Sequence, residues 1–326
     1  MNNFLLPPSS PERNTLAHRH NPFMLTDSGT APRRRVPAAL APTVRSRHVK
    51  RIEAVLDYIE RHLSEDLSLE VLAERAAISP FHFHRLFQAW CGETLSRFVR
   101  RRRLETAAGR LRHCPAEKVT LISLNCGFAS PESFARAFRE HFGMTPSQWR
   151  AGGWSSWRST GADPQSSPVS RVDVKRHEAG EYLFMRARGD YATTCAELWD
   201  RFLPWVHGMG LGGQPLVLIG LDDPAITDPT LCRMDACVQL PPGWRDPGTP
   251  LPRHRFESRW IATLRYDGPS SAVGRGWREL LDEWLPHAPF EMGEGHFFQR
   301  YDPHEGPPDS QLLRCELCMP VRPRTS

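Results

Sequence analysis

Apolar positions recur at helical spacing from residue 46 to residue 150, and past residue 168 they alternate instead. Val49, Ile52, Val55, Leu56, Ile59 and Leu63 fall three or four apart, which predicts an amphipathic first helix. Leu69, Leu72 and Ala73 open a second helix that ends near Ala77. Residues 94–114 read as one long helix with Leu95, Phe98, Val99, Leu104 and Leu111 inward. A short helix over 119–126 is stopped by Gly127, and a last turn falls at 147–150. Two more helices begin at Ser79 and Ser130, each a serine followed by a proline suited to the first helical position.

Those two helices carry the same string, Ser-Pro-x-x-Phe-x-Arg-x-Phe, at residues 79–87 and 130–138. In each copy the phenylalanines (Phe83 with Phe87, Phe134 with Phe138) share a face, and the arginine between them points elsewhere. Trp90 is expected to face inward with Phe83 and Phe87. Such a helix docks on one side and offers its outer, N-terminal residues to a partner. Those residues are Phe81, His82, His84 and Arg85 in the first copy, and Glu132, Ser133 and Arg136 in the second. Arginine can chelate guanine O6 and N7, histidine a purine N7, glutamate a cytosine N4, and an aromatic ring can pack on a thymine methyl. The pair therefore predicts a DNA reader with two heads, and their differing outward residues predict an asymmetric site. Ion pairs to the preceding helices are the competing use of Arg85 and Arg136. Arg100-Arg101-Arg102-Arg103 is expected to be mostly a solvated face, with one or two members on phosphate.

The second half reads as strands at 169–176 and 182–188, a helix at 192–209, and strands at 216–221 and 232–240. A second round follows, with a strand at 259–266, a helix at 271–284, and strands at 297–301 and 312–321. Arg186-x-Arg188-Gly189 parallels Arg265-x-x-Gly268, and Asp235-Ala236-Cys237 parallels Glu316-Leu317-Cys318. Two similar α+β halves imply a pseudo-twofold domain with an antiparallel sheet and a cleft. The expected organisation is a disordered arm at 1–45 (proline-rich, with Arg33-Arg34-Arg35), a helical domain at 46–150, a Gly/Ser/Pro linker at 151–168, and the repeat domain at 169–322.

Charge sharpens this division. Residues 45–158 hold 19 Lys and Arg against 12 Asp and Glu, whereas residues 159–326 hold 18 against 23, so the basic block is the one suited to a polyanion. No apolar run approaches the ~20 residues a bilayer span requires, the N-terminus has no secretory pattern, and a cytoplasmic location is expected. The cysteines are expected to be reduced there. Cys315 and Cys318, with Cys232 and Cys237 as conceivable partners, resemble part of a zinc site. On a strand, however, positions three apart face opposite sides, so these cysteines read as core and no metal or other cofactor is expected. No nucleophile, base and orienter are grouped, so catalysis is not expected either.

Residues 48–150 resemble the DNA-binding domain of AraC/XylS transcription regulators. The matching pieces are Leu69-Glu70-x-Leu72-Ala73-Glu74, the first serine-proline string, Gly92, Arg103-Leu104-x-x-Ala107, Gly127-Phe128, the second string, and Gly143-x-Thr145-Pro146-x-x-Trp149-Arg150. Residues 169–322 resemble, on a looser pattern, the GyrI-like effector-binding domain. Together they suggest a Rob-type arrangement: two helix-turn-helix units joined by a long helix, then an α+β domain of two tandem repeats. The resemblance implies a regulator of promoter DNA, more an activator than a repressor, that works with RNA polymerase and is controlled by a small molecule. It places Glu316 where the effector family meets cationic ligands, and a flat or lipophilic cation suits a carboxylate walled by aromatic rings. Trp199, Trp260, Trp277, Phe298 and Tyr301 are the candidate walls, with core packing as their competing use. Ala77 stands where the family often has Gly, Asn125 replaces a small apolar residue, and Met234 replaces a common Tyr. A hydrolase and a gyrase-inhibitor-like binding protein are the alternatives.

Overall fold

The computed structural model describes residues 44–157, 171–303 and 312–324. Nearly all of the expected arm, with Arg33–Arg35, and most of the expected linker lie outside them.

Seven helices build two small cores on either side of one shared helix. Helix α1 (Val44–Arg61) packs with α2 (Leu69–Arg75) and α3 (Pro80–Cys91); α5 (Val119–Asn125), α6 (Pro131–Phe142) and α7 (Pro146–Arg150) form the second group. The long α4 (Leu95–His113) serves both. Its first turns put Leu95, Phe98 and Val99 into one core, and its later turns put Leu104, Ala107, Ala108 and Leu111 into the other. Each head repeats one device. Proline occupies the start of α3 and α6, and a left-handed glycine at φ 72°, Gly92 or Gly143, ends each. The starts differ in one respect. Ser130 and Ser133 form a reciprocal capping box, whereas the exposed Ser79 makes no side-chain cap bond.

The turns before α3 and α6 also correspond. Gly127 adopts φ 77° and Ala77 adopts φ 51°, the latter being the only described non-glycine residue with positive φ. An alanine there carries about 1–2 kcal/mol of steric strain, which glycine relieves at some entropic cost in the unfolded chain. Ala77→Gly should therefore stabilise the fold by roughly 0.5–1 kcal/mol, read as a raised urea midpoint with unchanged slope.

The second half is one antiparallel sheet in the order β1-β6-β9-β8-β3-β4-β2-β5, with β7 paired to β9. Its strands are β1 (Val172–His177), β2 (Gly180–Arg188), β3 (Leu216–Gly220), β4 (Arg233–Gln239), β5 (Arg253–Phe256), β6 (Arg259–Pro269), β7 (Phe290–Met292), β8 (Phe297–Tyr301) and β9 (Leu312–Pro323). Sequence periodicity misses β5 and β7, which have four and three residues. The order is palindromic. β3 and β8 pair across the centre, β4 matches β9, β2 matches β6, and the edge strands β5 and β1 are exchanged between repeats.

Helices α8 (Tyr191–Gly208) and α9 (Val273–Arg278, running on into a wider π turn over Glu279–Trp284) cover one face. Trp199, Phe202 and Trp205 of α8 bury there against Ala236, Leu264 and Leu317. The opposite face carries Tyr182, Phe184, Phe256, Ile261 and Phe298. Strand alternation sends Cys315 to the first face and Cys318 to the second, as the i, i+3 spacing requires.

Candidate nucleic-acid interface and the sheet face behind it

Helices α3 and α6 present what the repeated string predicts. Phe83, Phe87, Phe134 and Phe138 are buried, with Phe83–Phe87 and Phe134–Phe138 centroids 5.7 and 5.4 Å apart. Phe81 is 74% exposed, an unusual state for a large ring, with the Arg85 guanidinium 5.9 Å from its centre. His82 and Arg85 are exposed and His84 is half-buried; in the second head Glu132 and Arg136 are exposed. Ser133 differs, because its hydroxyl donates to Ser130 O at 2.8 Å within the cap. Glu132, at the start of α6, has its carboxyl below the usual range through hydrogen bonds from Ser130 and the local backbone. Gln88 on α3 and Arg139 on α6 are also exposed, and a helical wheel from the buried phenylalanines could have found both.

Trp90 is not in the core. It is 43% exposed, and its Nε1 donates to Glu53 Oε1 at 2.7 Å. Glu53 belongs to the part of α1 that docks on the sheet face opposite α8 and α9. Glu53, Asp57 and Glu60 lie at i, i+4 and i+7 on that helix. Arg186 of β2 pairs with Glu53, reaches Asp57 Oδ1 at 3.0 Å and meets Asp235 Oδ1 of β4 at 2.7 Å. His254 of β5 lies 2.7 Å from Asp235 Oδ2 and 3.6 Å from Asp57 Oδ2, stacked on Phe184. Arg233 of β4 reaches Glu60 Oε1 at 2.8 Å.

The arginine run is the clearest departure from the sequence reading. Arg101 and Arg102 are buried rather than solvated, at 8% and 7% exposure. Arg101 meets Glu93 and Glu105; Arg102 meets Glu60, Glu105 and, across the domain boundary, Asp222. Only Arg100, paired with Glu140, stays exposed, and Arg103 donates to Leu63 O and Glu65 O. Residues 222–227 follow β3 and also reach the second head, where Ile226 joins its core and accepts from Trp157 Nε1 at 3.4 Å. Trp157 and Trp154 lie in the segment read as linker, and instead both pack on that core.

Among the predicted effector residues, Glu316 of β9 lies on the same sheet face as Phe298, opposite α8 and α9. Lys175 Nζ donates to its Oε1 at 2.7 Å and Arg300 Nε to its Oε2 at 2.8 Å. Burial would raise this carboxyl, but the bond from Lys175 and the charge of Arg300 hold it below its usual range. Phe298 shares that face with it. The structure does not bring the other four there. Trp199 and Tyr301 bury against each other in the helix-covered core, at 5.5 Å between centroids. Trp277 packs on the same side, stacked on Phe297, and Trp260 is 44% exposed beyond it in strand alternation. A strand cannot aim Phe298 and Tyr301, three residues apart, at one ligand.

Comparison with known proteins agrees with both halves. Residues 72–152 match a helix-turn-helix domain family, and residues 171–322 match the GyrI-like small molecule binding domain. The transcriptional regulator Rob of Salmonella typhimurium is 34% identical over 290 residues, covering 83% of this chain and 98% of that protein. This chain belongs to the AraC family of transcriptional regulators, in the Rob-type arrangement. The right origin-binding protein of Escherichia coli is likewise 34% identical over 291 residues, with 83% and 98% covered. The regulatory protein SoxS of Escherichia coli is 32% identical over 103 residues, 32% of this chain and 95% of its own. The Rob-type chain described here is thus a DNA-binding transcriptional regulator whose C-terminal half is a GyrI-like domain. None of its described helices is long and apolar enough to cross a membrane.

Proposed function

We propose that this Rob-type regulator inserts the N-terminal parts of α3 and α6 into successive major-groove faces, about one helical turn or ~34 Å apart on the duplex. The observation that carries this is the exposed set Phe81, His82 and Arg85 on α3, with the half-buried His84 beside them, and Glu132 and Arg136 on α6, each set backed by a buried phenylalanine pair. Ser133, held in its cap, serves by fixing the start of α6. The shared arginines anchor the two heads, and the differing neighbours read different bases, so the operator is asymmetric. A small effector on the GyrI-like domain, met at Glu316 and Phe298, biases DNA binding or contact with RNA polymerase and favours activation. A cationic effector would have to displace Lys175 or Arg300 from Glu316, which makes a lipophilic body on Phe298 a necessary part of its affinity.

The test uses DNA selected by the protein from a random pool. Arg85→Ala and Arg136→Ala should each weaken binding about 5- to 150-fold, the equivalent of ~1–3 kcal/mol per bidentate base contact, and each should relax preference at a different position. Unchanged affinity in both variants would overturn the two-headed model.

A further inference from the structure

Helix α3 ends differently from α6, and the difference points to the sheet. The last carbonyls of a helix lack intrahelical donors and form the negative end of its dipole, which suits a cation. α6 supplies its own, with Arg139 and His141 in its last turn. α3 has no basic residue in its last turn. Its cation comes from β2 instead, where the Arg188 guanidinium donates to the carbonyl oxygen of Cys91, the last residue of α3. Contact continues at the cap. A Cβ at Gly92 would fall 3.4 Å from Arg188 Nη1, whereas nothing lies within 4 Å of one at Gly143, the matching cap of α6.

A second contact reinforces the first. Arg186, two residues earlier on the same face of β2, pairs with Glu53 of α1, whose carboxylate accepts from Trp90 Nε1 of α3 at 2.7 Å. Trp90, Cys91 and Gly92 are thus tied to one strand of the GyrI-like domain, directly by Arg188 and through Glu53 by Arg186. Within the DNA-binding half, Arg101 of α4 reaches the next residue, Glu93, at 2.6 Å. The C-terminal end of α3 is therefore a held pivot, and the opposite end carries Phe81, His82 and Arg85. Over the 12 residues of α3, a tilt of about 5° at that pivot moves the N-terminal end by about 1.5 Å. A shift of that size takes a hydrogen bond to a base edge out of its working range.

We infer that Arg188 is a positioning residue for DNA reading: it sets the angle at which α3 enters the major groove. It acts through α3 rather than on the DNA, and through it the GyrI-like half adjusts the first head independently of the second. The inference rests on α3 entering the groove as proposed above, and it needs no effector to be bound.

The experiment measures base preference position by position, with full-length protein on DNA selected from a random pool. Positions that Arg85→Ala relaxes mark the α3 half of the site, and those that Arg136→Ala relaxes mark the α6 half. Arg188→Ala should relax preference in the α3 half about three- to tenfold, as a partly misplaced base contact would. The α6 half should keep its preference, and the urea midpoint separates any general loss of stability. Arg188→Lys keeps a charged donor for a single carbonyl and should restore most of the preference, whereas the neutral Arg188→Met should not. Equal relaxation in both halves, no relaxation in either, or equal behaviour of the Lys and Met variants would overturn the inference. If Arg85→Ala itself changes nothing, the reading of α3 as a groove-inserting helix fails, and this inference falls with it.

Discussion

Asp222→Ala should destabilise this protein by about 3–5 kcal/mol and uncouple its two halves, the largest effect expected of any single side chain in the structure. Asp222 has a fully buried side chain between domains. Its carboxylate accepts from Arg102 of α4 and from Arg233 Nε, Nη2 and backbone N, the last three at 2.8 Å each. Truncation would leave two buried guanidiniums sharing Glu60 and Glu105. Removing one member of a buried ionic cluster costs far more than the cluster's net contribution, because the partners keep their desolvation penalty. Loss should concentrate at the boundary. Urea unfolding followed by tryptophan fluorescence should split into two transitions, and small-angle scattering should report a larger radius before either. A variant that unfolds in one transition at the parental midpoint would refute this account.

Acid should act on the same boundary. Burial alone would raise Glu60, but Arg102 and Arg233 outweigh it and bring the carboxyl down to about 2, from an ordinary value of 4.5. The same two arginines hold Asp222 well below the usual carboxylate range, and Arg186 does so for Asp235. A carboxyl lowered in the folded state adds stability above its unfolded value and loses it as pH falls toward the folded one. For Glu60 that window runs from about 4.5 to about 2. Glu53 has the opposite sign, since burial outweighs Arg186 and raises it, so its protonation favours the docked state. Asp223, next to Asp222, is raised by burial in the same way. The three lowered carboxyls, Glu60, Asp222 and Asp235, are the ones bound to the arginines that span the boundary, and they set the direction: the halves should separate on acidification.

The heads were legible in the sequence because their determinants are local. Proline at a helix start, phenylalanines four apart and glycines at the C-caps act within one or two turns, and all fall in a short window. The sheet repeat was legible too, since Arg186 with Asp235 and Arg265 with Glu316, paralleled by motif alone, occupy matching register positions. What escaped was long-range. Arg102 meets Glu60 from 42 residues away and Asp222 from 120, and a charged helix face otherwise reads as solvated. Trp90 misled in the same way, because its partner Glu53 lies on another helix. The aromatic walls failed for a different reason. Strand alternation already separates Phe298 from Tyr301, but that Trp199 belongs to the helix-covered face needs the helix to be placed first.

Gly127→Ala carries the second large effect, and it tests whether the two heads are held at a fixed distance. Gly127 has φ +77°, and a Cβ there would fall 2.2 Å from Leu63 O and 2.8 Å from the Arg103 guanidinium. Leu63 O is already the acceptor for Arg103 Nε at 2.8 Å, and Arg103 Nη2 reaches Glu65 O at 3.0 Å. The bare glycine therefore lets the turn before α6 press on the loop after α1, with α4's arginine stapling the two. An alanine would bring the left-handed cost of ~1–2 kcal/mol and displace a charged hydrogen bond valued at ~1.5–3, for a loss of roughly 3–4 kcal/mol. Gly143 supplies the control. Its φ is +72° but nothing lies within 4 Å of a Cβ there, so Gly143→Ala should lose only about 1 kcal/mol. Affinity for a full DNA site should fall with Gly127→Ala beyond what Gly143→Ala causes, since only the first shifts one head against the other. Equal stabilities for the two variants would show that backbone conformation alone matters at Gly127, and that its contact with Leu63 does not set the spacing of the heads.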